Sequence, residues 1–280
     1  MDERIDTSKI TRASYAARKA PEFMNLKLVE CSQCDVIFAP MPPPSGTIIE
    51  AYHQADYDSS VEARQAADTY ANALRPHLAG MRLGSAMDVG TGSGAFLSDL
   101  SDMGFAEVIG IEPSAAAIAA AEPRVKPWIR EGIFREGDFP AGKFDLISCF
   151  MALEHVPDPG ILVRTFFDVL APGGKVALVV HDRTGWLNRF LGRRSPIIDI
   201  EHLQIFSPPS MEYLLKKAGY TDISIKPFAN KYRLAYWMRL LPIPGGLKTA
   251  LIGAVEKIGL GELPVAMNVG NLFCVATKPE

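Results

Sequence analysis

The stretch 86–96, Ala-Met-Asp-Val-Gly-Thr-Gly-Ser-Gly-Ala-Phe, constrains the fold more than any other part of the chain. An apolar, strand-like approach runs into Gly90, Gly92 and Gly94. From Ala95 the spacing of Phe96, Leu97, Leu100 and Met103 predicts a helix. A strand, a glycine turn and a helix bring unpaired backbone N–H groups close to a ligand, where negative charge is favoured. Glycine leaves room there, or permits a φ that a Cβ forbids. The stretch reads as a cofactor loop.

Spacing narrows the cofactor. A dinucleotide fingerprint needs G-x-G-x-x-G. From Gly92 and Gly94 the final place is Leu97, and from Gly90 and Gly92 it is Ala95, a tolerated substitute. A nicotinamide-dependent oxidoreductase therefore stands as an alternative. The next expected strand, 107–111, leads to Glu112, whose carboxylate can accept both hydroxyls of an unphosphorylated ribose.

Four segments then fall in order: Asp88-Val-Gly-Thr-Gly-Ser-Gly, Ile109-Gly-Ile-Glu-Pro113, Phe144-Asp-Leu-Ile147 and Leu170-Ala-Pro-Gly-Gly174. Together they resemble the successive motifs of class I S-adenosylmethionine-dependent methyltransferases, over about residues 60 to 228. The resemblance implies an α/β, Rossmann-like, doubly wound sheet of seven strands, mostly parallel, with the last strand antiparallel. It implies S-adenosylmethionine as cofactor and S-adenosylhomocysteine as product. A domain that binds this nucleoside without catalysis is a further alternative.

Composition fits such an enzyme. Hydrophobic content of 48% over 280 residues allows one large domain with appendages. A net charge of -3 argues against wide phosphate-backbone contact, so no nucleic acid partner is expected. Asp2, Glu3 and Asp6 precede any apolar run, which is unlike a signal peptide, and a cytoplasmic location is the expectation. Four cysteines in a chain this long do not make a disulfide scaffold.

Two units are expected: residues 1–60 as an N-terminal cap and 61–280 as the methyltransferase domain. Within the cap, 26–38 reads as a hairpin around Cys31-x-x-Cys34, similar in shape to half of a zinc ribbon. Tetrahedral zinc wants four ligands, and Cys149 and Cys274 sit in apolar, strand-like segments, so no bound zinc is expected. Pro40 to Pro44 form a stiff connector. Tyr52, His53, Asp56 and Tyr57 follow it, in the region that caps the cleft in the resembling family. Packing of the cap onto the core explains these aromatics equally well.

Alternating strand and helix patterns fill the rest. Helices are expected over 61–78, 95–103, 160–170 and from Pro208, with Ser114 capping an alanine-rich one. Strands are expected at 107–111, 125–129, 144–150, 175–180, 220–225 and 271–276. Insertions at 181–206 and 228–264 would build the acceptor side. In the second, Lys231, Arg233 and Arg239 interleave with Tyr232, Tyr236 and Trp237. A helical lid is favoured there over a membrane-surface element at 228–248.

The resemblance assigns the cofactor to Asp88, Gly90, Thr91, Gly92, Gly94, Phe96, Glu112, Pro113, Gly132, Ile133 and Met151, with Asp138 a rival to Gly132 and Ile133 at the adenine. Methyl transfer further requires alignment, exclusion of water and removal of one proton from a protonated acceptor. Three histidines follow strand ends or lie in the insertion: His155, His181 and His202. Imidazole is the natural base near neutral pH, although each ring could equally pin a loop. Met151-Ala-Leu-Glu-His155 and Glu201-His-Leu-Gln-Ile-Phe-Ser207 resemble segments of small-molecule methyltransferases, including those of ubiquinone biosynthesis. The expected acceptor is a small molecule, methylated at a hydroxyl oxygen. No catalytic metal site is expected.

Overall fold

The computed structural model describes residues 1–16, 22–57, 60–241 and 243–280. The polar start at 1–25, the cap and the lid each include a few residues outside that set. In chain order, β1 (Val29–Glu30) and β2 (Ile37–Phe38) form the expected hairpin, followed by α1 (Ser45–His53) and α2 (Ser60–Leu74). Next come β3 (Ser85–Val89), α3 (Ala95–Asp102), β4 (Glu107–Glu112), α4 (Ala115–Ala119) and β5 (Ile129–Glu131). The second half contains β6 (Phe144–Phe150), α5 (Pro159–Val169), β7 (Leu170–His181), α6 (Trp186–Leu191), β8 (Gln204–Ile205) and α7 (Pro208–Ala218). It closes with β9 (Thr221–Arg233), α8 (Leu234–Arg239), α9 (Gly245–Lys257) and β10 (Pro264–Thr277).

Seven strands make one sheet in the order β5-β4-β3-β6-β7-β10-β9. The strands from β5 to β7 are parallel, and β10 is antiparallel to both neighbours. This is the expected topology. Strand order reverses between β4 and β6 on either side of β3, which opens a crevice at the carboxyl ends of these strands.

The two-residue period of the strands divides the core. Met87, Ile147, Val176 and Leu178 face α5 and α7 through Val163, Phe166, Met211 and Leu215. Ala86, Leu146, Ala177 and Val179 face α2 and α3 through Ala67, Leu74, Leu97 and Leu100. Burying a Leu or Ile contributes roughly 1.5–3 kcal/mol, so both layers hold the sheet firmly. The helices begin where their caps place them. Asp158 accepts from the Ile161 N–H at 2.9 Å, and Ser207 and Ser210 form a capping box ahead of Pro208 and Pro209. At the opposite end of the sheet Asp145, buried, accepts from Arg82 Nε at 2.7 Å and from the N–H groups of Gly84 and Ser85 at 2.9 Å each.

A smaller sheet, β1-β2-β8, zips the N-terminal hairpin onto the 181–206 insertion. No helix among the described residues is long and apolar enough to cross a membrane.

Several boundaries differ from the sequence reading: β7 starts at Leu170 rather than 175, and the helix expected over 61–78 ends at Leu74 in a 3₁₀ turn. The third strand is Ile129–Glu131, not 125–129, because Lys126–Trp128 forms a 3₁₀ turn around Pro127, which has no N–H for a ladder. Strands β9 and β10 extend well beyond 220–225 and 271–276, so the first residues of the 228–264 insertion are strand. Only the remainder is helical. Polar residues in that long pair, Asn230 among them, conceal its strand period.

Candidate functional site

The crevice deepens into a cavity of about 700 Å³ lined by the carboxyl ends of β3, β4, β6 and β7 and by the loops after them. At its centre is the glycine loop. Gly90 has φ +75°, and a Cβ there would lie 2.7 Å from that of Ala152, so backbone and the segment after β6 touch only because the side chain is absent. Met151 is also left-handed, at φ +54°, a strained conformation for a residue with a side chain. Its N–H is held by the Val179 carbonyl at 2.7 Å.

Two buried carboxyls flank this loop. Asp88 accepts from the Ser148 hydroxyl at 2.5 Å, and burial pushes it up to about 6. Glu112 accepts from the Gly92 N–H at 2.7 Å and the Ser114 N–H at 2.8 Å. Burial outweighs those two bonds and raises it to about 7. Ser114 caps α4 as expected, accepting from the Ala117 N–H. Buried carboxyls kept this close to neutrality are poised to gain partners, and as acceptors they suit the donating hydroxyls and ammonium of an amino-acid nucleoside such as S-adenosylmethionine.

All the expected cofactor residues line the cavity except Gly94. Gly94 instead serves the turn: at φ +71° it precedes α3, and a Cβ would stand 3.0 Å from Ile129. Gly132 and Ile133 are on the cavity wall, whereas Asp138 is not and accepts from the Arg135 N–H at 2.7 Å within its own exposed turn.

The three histidines converge. The His202 ring is 5.0 Å from that of His155 and 4.9 Å from that of His181, centroid to centroid, and all three line the cavity. Backbone carbonyls only accept, so Ile197 O at 2.9 Å places a proton on Nδ1 of His202. In the same way Glu201 O at 3.1 Å accepts from Nδ1 of His155, which also lies 2.8 Å from the Tyr52 hydroxyl. His181 donates from Nδ1 to Asn271 Oδ1 at 2.9 Å, leaving its lone pair on Nε2. Removal from water pushes His181 down to about 4, with the charge of His155 a smaller contribution in the same direction. Beneath the cluster, Glu154 accepts the His181 backbone N–H at 2.6 Å.

Sequence reasoning left several of these partners unassigned. Ser148 is the polar break in the apolar run Phe144–Phe150, a readable signal. Asn230 and Asn271 come from the long β9–β10 pair and carry no local motif, and Tyr236 and Trp237 of α8 join Tyr232 of β9 on the cavity wall. The cap aromatics do more than pack, since the Tyr57 hydroxyl donates to Ser93 of the glycine loop at 2.8 Å and Tyr52 reaches His155. Among the described residues no group of three or more His, Cys, Asp or Glu side chains could hold a metal ion.

Comparison with known proteins places this geometry. Residues 57–225 match a methyltransferase domain. A ubiquinone biosynthesis O-methyltransferase of Nitrosococcus oceani is 30% identical over 184 residues, covering 58% of this chain and 75% of the relative. One from Psychrobacter arcticus is 28% identical over 169 residues, covering 53% and 65%. Among solved structures, a SAM-dependent methyltransferase from Thermotoga maritima, titled a possible histamine N-methyltransferase, shares the fold. Its TM-score is 0.53 at 17% identity, covering 79% of this chain and 93% of that one. With the sheet order, the glycine loop and the paired carboxyls in place, the chain belongs to the class I S-adenosylmethionine-dependent methyltransferases.

Proposed function

We propose that this methyltransferase acts on a hydroxyl oxygen of a small molecule, with the histidine cluster taking the proton. The observation that carries the reading is the convergence of His155, His181 and His202 on one cavity beside the glycine loop. The hydroxyl-methylating relatives support it. Bound S-adenosylmethionine supplies a methyl group on a sulfonium that is its own leaving group.

The chain's residues do the rest. Asp88 would hold the ammonium, Glu112 would accept from the ribose hydroxyls, and Gly132 and Ile133 would wall the adenine. Pro113, Phe96, Thr91 and Met151 close the nucleoside site, while the cap and α8 limit water. His181 takes the acceptor proton on Nε2, because Asn271 fixes the proton already carried on Nδ1. His181 is neutral across the physiological range, so Nε2 carries a lone pair, and the acceptor hydroxyl yields its proton to it as the new oxygen–carbon bond forms and makes that proton strongly acidic. His155 and His202 orient the acceptor and share the arriving charge.

Incubation with methyl-labelled S-adenosylmethionine and a panel of phenols and alcohols tests this. Labelled methyl ethers are expected. Label transferred only to amines or thiols sinks the oxygen assignment, and tight S-adenosylhomocysteine binding with no transfer to any acceptor favours a non-catalytic binder.

A further inference from the structure

Two helices at the carboxyl end of the sheet turn their large apolar side chains outward. On α6, Trp186 is 70% and Phe190 82% exposed. This is no loosely held segment. Buried Asn188 donates to the Asp182 carbonyl at 2.7 Å and accepts from the Ser195 hydroxyl at 2.7 Å. The helix also starts at Gly185, where a Cβ would lie 2.7 Å from the Gly270 Cα. A fixed turn therefore displays both rings.

On α9 no residue is buried, and Leu247, Leu251 and Ile258 make an apolar stripe that runs on to the residue just past its end. The two elements share one end of the molecule. Strand β7 feeds α6 and β9 feeds α8 and α9, and β7 and β9 point the same way because each is antiparallel to β10. The cavity opens at that end too, with Pro196 and Ile197 after α6 and Trp237 and Leu240 near α8 on its wall.

Charge says what covers this face. Exposed Arg189, Arg193 and Arg194 follow within eight residues of Trp186, and α9 carries Lys248, whose ammonium donates to the Arg239 carbonyl at 2.9 Å, and Lys257 against a single carboxylate, Glu256, on a chain whose net charge is -3. Exposed aromatics bordered by arginine are the composition of an element lying in a lipid headgroup layer, the rings entering the acyl boundary and the cations meeting phosphates. A second copy docked by the same face would bring its arginines against like charges.

We infer that α6 and α9 form a docking face for an anionic bilayer, which turns the cavity toward the membrane surface. This goes beyond the acceptor assignment and does not depend on it. Helix α9 begins inside the 228–248 segment considered from sequence, but the aromatics of that segment, Tyr236 and Trp237, are buried against the core, and the exposed apolar groups are Leu247, Leu251 and Ile258.

Co-sedimentation of the full chain with phosphatidylcholine vesicles, with and without phosphatidylglycerol, tests the inference. Binding to the anionic vesicles is expected, about tenfold or more above that to pure phosphatidylcholine and weakened by salt. The double variants Trp186→Ser with Phe190→Ser, and Leu247→Glu with Leu251→Glu, should each lose about tenfold or more of that binding. Their S-adenosylhomocysteine affinity and Tm should stay at wild-type values. Absence of binding to anionic vesicles overturns the inference, as does undiminished binding by both variants. A dimer in sedimentation equilibrium that these substitutions dissociate also overturns it, by assigning the face to a second copy.

Discussion

His181 and Asn271 stand directly opposite one another in the antiparallel pair β7–β10, and the imidazole Nδ1–H donates to the amide oxygen at 2.9 Å. A strand register thus fixes a tautomer. Asn271→Leu should lower kcat by about tenfold to a hundredfold with little change in cofactor affinity. Asn271→Asp places a carboxylate beside the ring, favours the imidazolium and raises the His181 pKa from about 4. The acid limb of the kcat–pH profile should therefore move to higher pH, which a purely structural role for Asn271 would not produce.

Replacing the proposed base should cost more. His181→Ala is expected to reduce kcat by about a hundredfold or more while S-adenosylhomocysteine binding, measured calorimetrically, stays within about threefold. Wild-type turnover in this variant would move the proton acceptor to another histidine.

Cofactor affinity should depend on pH through Asp88 and Glu112, which titrate near 6 and 7 in the folded chain. Ionised, each accepts more strongly, Asp88 from an ammonium and Glu112 from two ribose hydroxyls. S-adenosylhomocysteine affinity should fall roughly tenfold or more between about pH 7.5 and 5.5. The ligand-free fold runs the other way. Both groups are raised on folding, from 3.8 and 4.5, so the folded state holds the extra protons in that interval. Their contribution to stability is present at low pH and is lost as pH climbs to about 7. Calorimetric titrations and urea melts across the interval check the two opposite trends.

Glycines of the loop should separate by space. Gly90→Ala meets both a left-handed φ and a contact at 2.7 Å, whereas Gly92→Ala meets only φ +59° with nothing within 4 Å. The second should cost about 1–2 kcal/mol and the first clearly more, with loss of S-adenosylhomocysteine binding. Urea denaturation of the pair gives the ranking.

Asp145 lies at the far end of β6 from the cavity and serves stability alone. Asp145→Ala strands the Gly84 and Ser85 N–H groups, while the exposed Arg82 charge stays solvated, and should cost about 1–3 kcal/mol. Cofactor affinity of the folded fraction should not change.

Much of this was legible beforehand because it is encoded locally. The glycine loop, Glu112 at a strand end, the Ser114 cap and the proline-opened helix at 208 each need only a few neighbouring residues to specify them. The hidden parts are long-range. Nothing near Asn271 announces that it will meet His181 90 residues away, and nothing near Tyr52 points to His155 at a separation of 103. The third strand was misplaced for the opposite reason, since the apolar period of 125–129 is local but Pro127 breaks the ladder that would use it. Glycine signals both close approach and a turn, and at Gly94 the left-handed φ of +71° ahead of α3 requires the turn.

The union of β2 with β8 carries a consequence for how the protein is made. When residues 37–38 leave the ribosome, the edge they will pair with is still about 165 residues from being synthesised. At ~5–20 residues per second the free edge of β2 waits on the order of ten seconds or longer with its backbone groups open. The hairpin is short and its turn polar, features that keep a nascent strand from recruiting the wrong neighbour during such a delay.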